Sequence, residues 1–150
     1  MGTLSMEKFS VTDLSDECRD VLKGFMSEMY EWEVKYYKKS LDAFEDDSLE
    51  SDLEVVMRDD LLKIFKTFVA EGGRNYDRVE NLVCGRHPEY DLGSDQLEIE
   101  VVRDNHVLVV IKKTKGLAPV FRLTLAATDG KCMIVSRELQ GGNKWQKTYI

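Results

Sequence analysis

An α+β fold, with two N-terminal helices packed on a strongly curved antiparallel sheet of about five strands, is what this 150-residue sequence predicts. Three observations carry that prediction. Apolar residues recur every three to four positions until about residue 70 and every second position afterwards. β-Branched residues take over at the same point. The elements also come in two blocks, helices first and strands second, instead of in the alternation that a parallel sheet requires.

From Ser15 to Phe44, residues Cys18, Leu22, Phe25, Met29, Trp32 and Tyr36 fall on one face of a long amphipathic helix. The break EDDSLES follows. Ser51 and Glu54 then form an S-x-x-E capping box, which predicts a second helix through Leu53, Met57, Leu61, Phe65 and Phe68 that ends at Gly72-Gly73. A first strand is expected near Tyr76 to Cys84. In QLEIEVVRDNHVLVVIKK, a three-residue loop Asp104-Asn105-His106 would pair Ile99 with Ile111, Val101 with Val109 and Glu98 with Lys112. A second hairpin, VFRLTLAATDGKCMIVSRE, turns at Asp129-Gly130. A two-residue loop there sets Arg122 directly opposite Arg137, which requires an anion between them: Glu138, another acidic side chain or a ligand carboxylate.

A chain of this length fits one domain, residues 1–150, with 1–12 as a flexible N-terminus, and a domain of this size buries roughly 68–70% of its unfolded surface. Cys18, Cys84 and Cys132 show no zinc-type spacing, and three cysteines argue against a secreted disulfide framework, so a reducing cytoplasm is the expected compartment. No signal-peptide core or membrane-length apolar run occurs. Net charge is −7 and unevenly spread: residues 1–71 hold 18 acidic and 9 basic side chains, the remainder 10 and 12. Such a surface repels nucleic acid and attracts a cationic partner.

The stretch CGRHPEYDLGSD, Cys84 to Asp95, concentrates residue types used in acid/base and metal chemistry. It also carries Pro88 and a Leu92-Gly93-Ser94-Asp95 turn, so it is expected to be a polar surface connection. A catalytic reading would use His87 as a base beside Glu89 or Asp91. No second histidine stands at metal-ligand spacing from His87 or His106, and no P-loop, G-x-S-x-G or H-E-x-x-H pattern occurs, so neither metal nor cofactor is expected.

Trp32 within MYEWEVKYYKKS, Pro88-Glu89-Tyr90, Arg122 with Thr124-Leu125, and Lys144-Trp145 follow one another in an order that resembles the NTF2-fold immunity proteins of bacterial polymorphic toxin systems. The resemblance runs from about Glu28 to Ile150. Two departures are His87, where a second proline is expected, and Cys132-Met133, where tryptophan is common. The resemblance implies a cone-shaped, cystatin-like roll and a non-catalytic protein that binds and silences a toxin encoded beside it, as a monomer or a homodimer. It also implies that Pro88-Glu89-Tyr90 is a structural clasp, with the Tyr90 ring packed and its hydroxyl bonded.

The expected partner is therefore a cationic toxin domain, a nuclease being one such class. Glu45, Asp46, Asp47, Glu50, Asp52 and Glu54 are its expected steering surface, with Trp145 as an aromatic anchor. The alternative is a ligand-binding protein or an isomerase/dehydratase-type enzyme using the cone cavity. Tyr90, Arg122 and Arg137 would then be the cavity residues. An interior filled by Phe121, Leu123, Leu125 and Ile134 would speak against that alternative.

Overall fold

A computed structural model describes residues 7–9, 15–102, 106–128 and 130–150; most of the stretch 1–12, expected to be flexible, lies outside them. In chain order the elements are β1 (Glu7–Phe9), α1 (Asp16–Asp42), α2 (Asp47–Phe68), α3 (Asp77–Glu80), β2 (Gln96–Val102), β3 (His106–Lys112), β4 (Val120–Thr128), β5 (Lys131–Gly141) and β6 (Lys144–Thr148). The strands form one antiparallel meander in sequence order, and the helices pack against it as the α+β prediction requires.

α1 begins where the sequence places it, because Ser15 accepts a hydrogen bond from the Cys18 N–H at 3.3 Å. The face predicted from its period is the buried one, with Leu22, Phe25, Met29, Trp32 and Tyr36 all inside. α2 starts four residues before the predicted capping box. Asp46 is the N-cap, accepting from the Leu49 N–H at 3.1 Å, and Asp47 and Glu50 place negative charge against the positive end of the helix. Asp caps as well as Ser, so the earlier acidic cluster prevails. α2 also ends before the glycines: Val69 turns extended and bridges to Ile134, and the Ala70 N–H reaches the Ile134 carbonyl at 2.9 Å. The two helices are joined by the Trp32 indole N–H, which donates to the Met57 carbonyl at 3.0 Å. They approach closely at Gly24, where an added Cβ would lie 2.9 Å from the Phe68 ring.

The strand expected near Tyr76 to Cys84 is instead the single-turn helix α3 and a loop. Its polar residues bond local backbone and leave no ladder to form: the Asn81 amide donates to the Asp77 carbonyl at 2.7 Å. The Tyr76 hydroxyl donates to the Phe65 and Val69 carbonyls, satisfying groups at the end of α2. Two strands replace the missing one, β1 and β6. The second is closed by a Gly142-Asn143 turn between Gly141 and Lys144, with Gly142 at φ 61°.

The β2–β3 register is shifted by two residues from the prediction. Ile99 faces Val109, Val101 faces Val107 and Glu98 faces Val110, and the connecting residues 103–105 lie outside the described set. A shift of two preserves the faces, so Lys112 still bonds Glu98 at 2.8 Å, now diagonally. In β4–β5 the two-residue turn holds, since Thr128 pairs with Lys131 and Gly130 adopts φ 78°; Asp129 itself is outside the described residues.

Farther along that hairpin a bulge intervenes. Thr124 pairs with Ser136 but Leu125 pairs with Ile134, so Val135 is the extra residue. Beyond it Arg122 faces Glu138, and Arg137 faces Leu123, not Arg122 as predicted. One inserted residue thus sends Arg137 to the core side of the sheet and leaves Arg122 on the other.

The core is one cluster of buried aromatic and aliphatic side chains from both helices and the sheet. Tyr90 lies in it, its ring edge-to-face with Phe25 at 5.0 Å and Phe121 at 5.5 Å. Cys18 and Cys132, 114 residues apart, are disulfide-bonded with Cα atoms 5.6 Å apart, tying α1 to β5. The cysteine count, read as an argument against a secreted disulfide framework, gave no sign of this pairing; fold topology, not sequence spacing, brings the two together.

Candidate functional site

The α1–α2 corner is built by a short turn in which Glu45 takes φ 69°. Glu45, Asp46, Asp47, Glu50, Asp52 and Glu54 are all exposed, and none forms an ion pair among the described residues. The corner also carries apolar side chains that the sequence reading passed over: Leu41, Phe44 and Leu49 are 60%, 71% and 51% exposed. An isolated exposed Leu is ordinary, but three large apolar groups among unpaired carboxylates have the composition of a partner-binding surface.

Trp145 stands elsewhere, on β6, half-buried. The Arg122 guanidinium lies 4.2 Å from its ring centroid while the Arg122 Nε bonds Glu138 at 2.8 Å. Of the anions the sequence left open for Arg122, the structure supplies Glu138. Arg122 is thus held between Glu138 and the Trp145 ring.

Behind Cys84–Asp95 lies a buried ionic clasp. Glu33 of α1, 4% exposed, accepts from the Gly85 N–H at 2.9 Å on one oxygen and from the Glu89 N–H at 2.8 Å on the other. The Glu89 carboxylate turns inward, 3.0 Å from Arg137 and 3.6 Å from Arg78. Arg78, also 4% exposed, lies over Trp32 and donates to the Asn81 carbonyl at 2.8 Å. Two carboxylates and two guanidiniums give the cluster zero net charge, the condition under which buried charge is tolerated. Burial raises the Glu33 pKa above its ordinary value, opposed by the two backbone hydrogen bonds. For Arg137 burial works against the charge, but the neighbouring Tyr90, Glu89 and Tyr149 oxygens outweigh it and the pKa is raised.

Sequence reasoning missed Glu33 and Arg78. The available signal for Glu33 was its place in the apolar stripe, four residues after Met29 and seven after Met26. The Tyr90 ring is packed as the clasp reading expects, but its hydroxyl has no hydrogen-bond partner among the described residues, where that reading expects one.

The catalytic arrangement considered for this stretch is not assembled among the described residues. Glu89 points to the arginines, and Asp91 accepts from the Gly93 N–H at 3.0 Å within its own turn. His87 instead packs near Gly116. Burial and the adjacent Glu33 push the Cys84 thiol up to about 12, opposed by Arg78, which makes it a poor nucleophile. Among the described residues no group of His, Cys, Asp and Glu is placed to hold a metal ion, and no helix is long and apolar enough to cross a membrane. Phe121, Leu123, Leu125 and Ile134 are at most 1% exposed and belong to the core cluster.

No solved structure matches the chain. It is similar to the immunity protein RhsIA of Dickeya dadantii (strain 3937), with 27% identity over 132 residues, covering 85% of this chain and 90% of that one. The family model for NTF2-fold immunity proteins matches residues 17–149, both helices and the sheet from β2 to β6, and the chain belongs to that family.

Proposed function

We propose that this protein neutralises a cognate toxin domain by stoichiometric binding and that the α1–α2 corner is the surface that meets the toxin. The observation that carries the proposal is the corner itself: six exposed carboxylates from Glu45 to Glu54, none in an ion pair among the described residues, around the exposed Phe44. Carboxylates accelerate encounter with a cationic partner, and apolar groups such as Phe44 hold it once docked. Membership in an immunity family, and a relative named as an immunity protein, support a toxin as that partner. A nuclease domain fits the charge, because an active site built for a polyanion is basic. Trp145, beneath Arg122, is a second aromatic assigned to the interface. The reading is of a non-catalytic, cofactor-free inhibitor acting in the cytoplasm of the producing cell.

The test replaces Asp46, Asp47 and Glu50 together with serine, which still caps α2 at position 46. Association with the toxin domain encoded beside the gene should slow by roughly tenfold at low salt and lose most of its salt dependence. Unchanged association kinetics at low salt would remove the corner from the interface.

A further inference from the structure

We propose that the pocket between Arg86–Glu89 and the loop after β3 binds an organic carboxylate with a short apolar body. The pocket has a volume of about 420 Å³. One wall is the segment held by the Glu33 clasp. The other is the turn following Lys113, fixed by a hydrogen bond from the Lys113 N–H to the Pro119 carbonyl at 3.1 Å. The walls meet where His87 packs against Gly116: a Cβ there would lie 3.3 Å from the His87 ring, and the φ of 66° also favours glycine.

Charge selects an anion. Arg86, Lys113, Lys115 and Arg137 line the pocket. Glu89 holds Arg137 at 3.0 Å, Asp95 holds Lys113 at 2.7 Å, and Asp91 lies 3.9 Å from Lys115. Arg86 has no carboxylate partner among the described residues, so four cations face three carboxylates in a chain whose net charge is −7. The surplus is one positive charge. It suits a monoanion better than a dianionic phosphate, which Glu89 would repel.

A second observation points the same way. The Arg137 side chain, 11% exposed, lines the pocket, and among the described residues its carboxylate partner is Glu89, which it shares with Arg78 at 3.6 Å. A largely buried guanidinium whose counter-ion is shared gains from a second anion, and a carboxylate in the pocket supplies it through charge-assisted hydrogen bonds. The rest of the lining is apolar: Leu117, fully exposed, with Pro119 and Phe121. That apolar wall calls for hydrocarbon beside the carboxylate.

Two sources offer this chemistry, a free carboxylic acid and an acidic side chain or C-terminus of a bound protein. The experiment uses the isolated chain, so its outcome does not depend on the toxin reading. Sodium acetate and sodium butyrate are titrated at constant ionic strength against sodium chloride, following the amide signals of His87 and Gly116 and the Arg137 Nε–H by nuclear magnetic resonance. Saturable shifts are expected with both acids and not with chloride. Butyrate should bind more tightly than acetate, by at most roughly fourfold per added methylene. The exposed residues Arg86 and Lys115 are then changed together, Arg86→Gln with Lys115→Gln, and affinity should fall at least roughly tenfold while the thermal midpoint is unchanged.

Shifts that match chloride, or that persist in the double variant, would overturn the proposal. A Leu117→Ser variant should erase the preference for butyrate and leave acetate binding intact, and an undiminished preference would overturn the assignment of the apolar wall. Competition between butyrate and the toxin domain would identify the guest as a group on the partner, and independent binding would identify it as a free acid.

Discussion

Glu33 holds two backbone N–H groups on its two oxygens from within the core, which makes it the residue on which the Cys84–Tyr90 segment rests. Glutamine in its place keeps the shape but turns an amide N–H toward one of those donors. Glu33→Gln should therefore destabilise the fold by about 1–3 kcal/mol. The pH response follows from the raised pKa. A carboxyl with a higher pKa in the folded state contributes stability fully below its ordinary value of 4.5 and loses that contribution as pH rises through the folded value. Urea midpoints measured upward from pH 4.5 should fall with pH in the parent, and less steeply in the variant. Equal slopes would show that Glu33 does not titrate in this range. Cys84 beside it, with its thiol pushed up to about 12, should react with iodoacetamide at pH 8 far more slowly in the folded chain than in urea. Equal rates would contradict the raised thiol and its partly buried placement.

At the scale of elements, the features legible in the sequence are those that depend on local periodicity. The buried stripe of α1 and the alternation in β2 to β5 could be read directly, because 3.6- and 2-residue periods are properties of one segment. The start of α2 was misplaced because two acceptable caps lie five residues apart, and the one nearer the acidic cluster is used. The bulge at Val135 left no local mark, since it depends on what lies across the strand: the Asn75 amide donates to the Val135 carbonyl at 3.0 Å, and Val69 bridges to Ile134. With the bulge unseen, Arg137 was read as facing Arg122 and the Glu89 clasp was invisible. Deleting Val135 should make the ladder regular, because Leu125 already pairs with Ile134 and Thr124 with Ser136, and should leave Arg137 opposite Leu123 with the Glu89 clasp intact. The expected loss is about 0.5–1.5 kcal/mol in chemical denaturation, from the Asn75 amide bond to the Val135 carbonyl, and a loss of about 3 kcal/mol or more would mean that the clasp itself depends on the bulge.

Over the whole molecule, the uneven charge of the sequence becomes a spatial division. The acidic corner belongs to the two helices, whereas four of the twelve cations of the second half line a pocket between the Arg86–Glu89 segment and the loop after β3. The acidic run was legible because contiguous residues share one exposed turn. Phe44 was not, because it was read as the end of the first helix and instead lies beyond α1, in the exposed turn. The pocket was not legible either, since its cations are drawn from three separate stretches of chain. Fold and family are secure, and function rests on whether this protein engages a toxin. The most direct measurement is a calorimetric titration of the chain against the toxin domain encoded beside its gene. A one-to-one complex of nanomolar affinity or tighter is expected. No heat of binding, or affinity only in the range of chance contact, would contradict inhibition by stoichiometric capture.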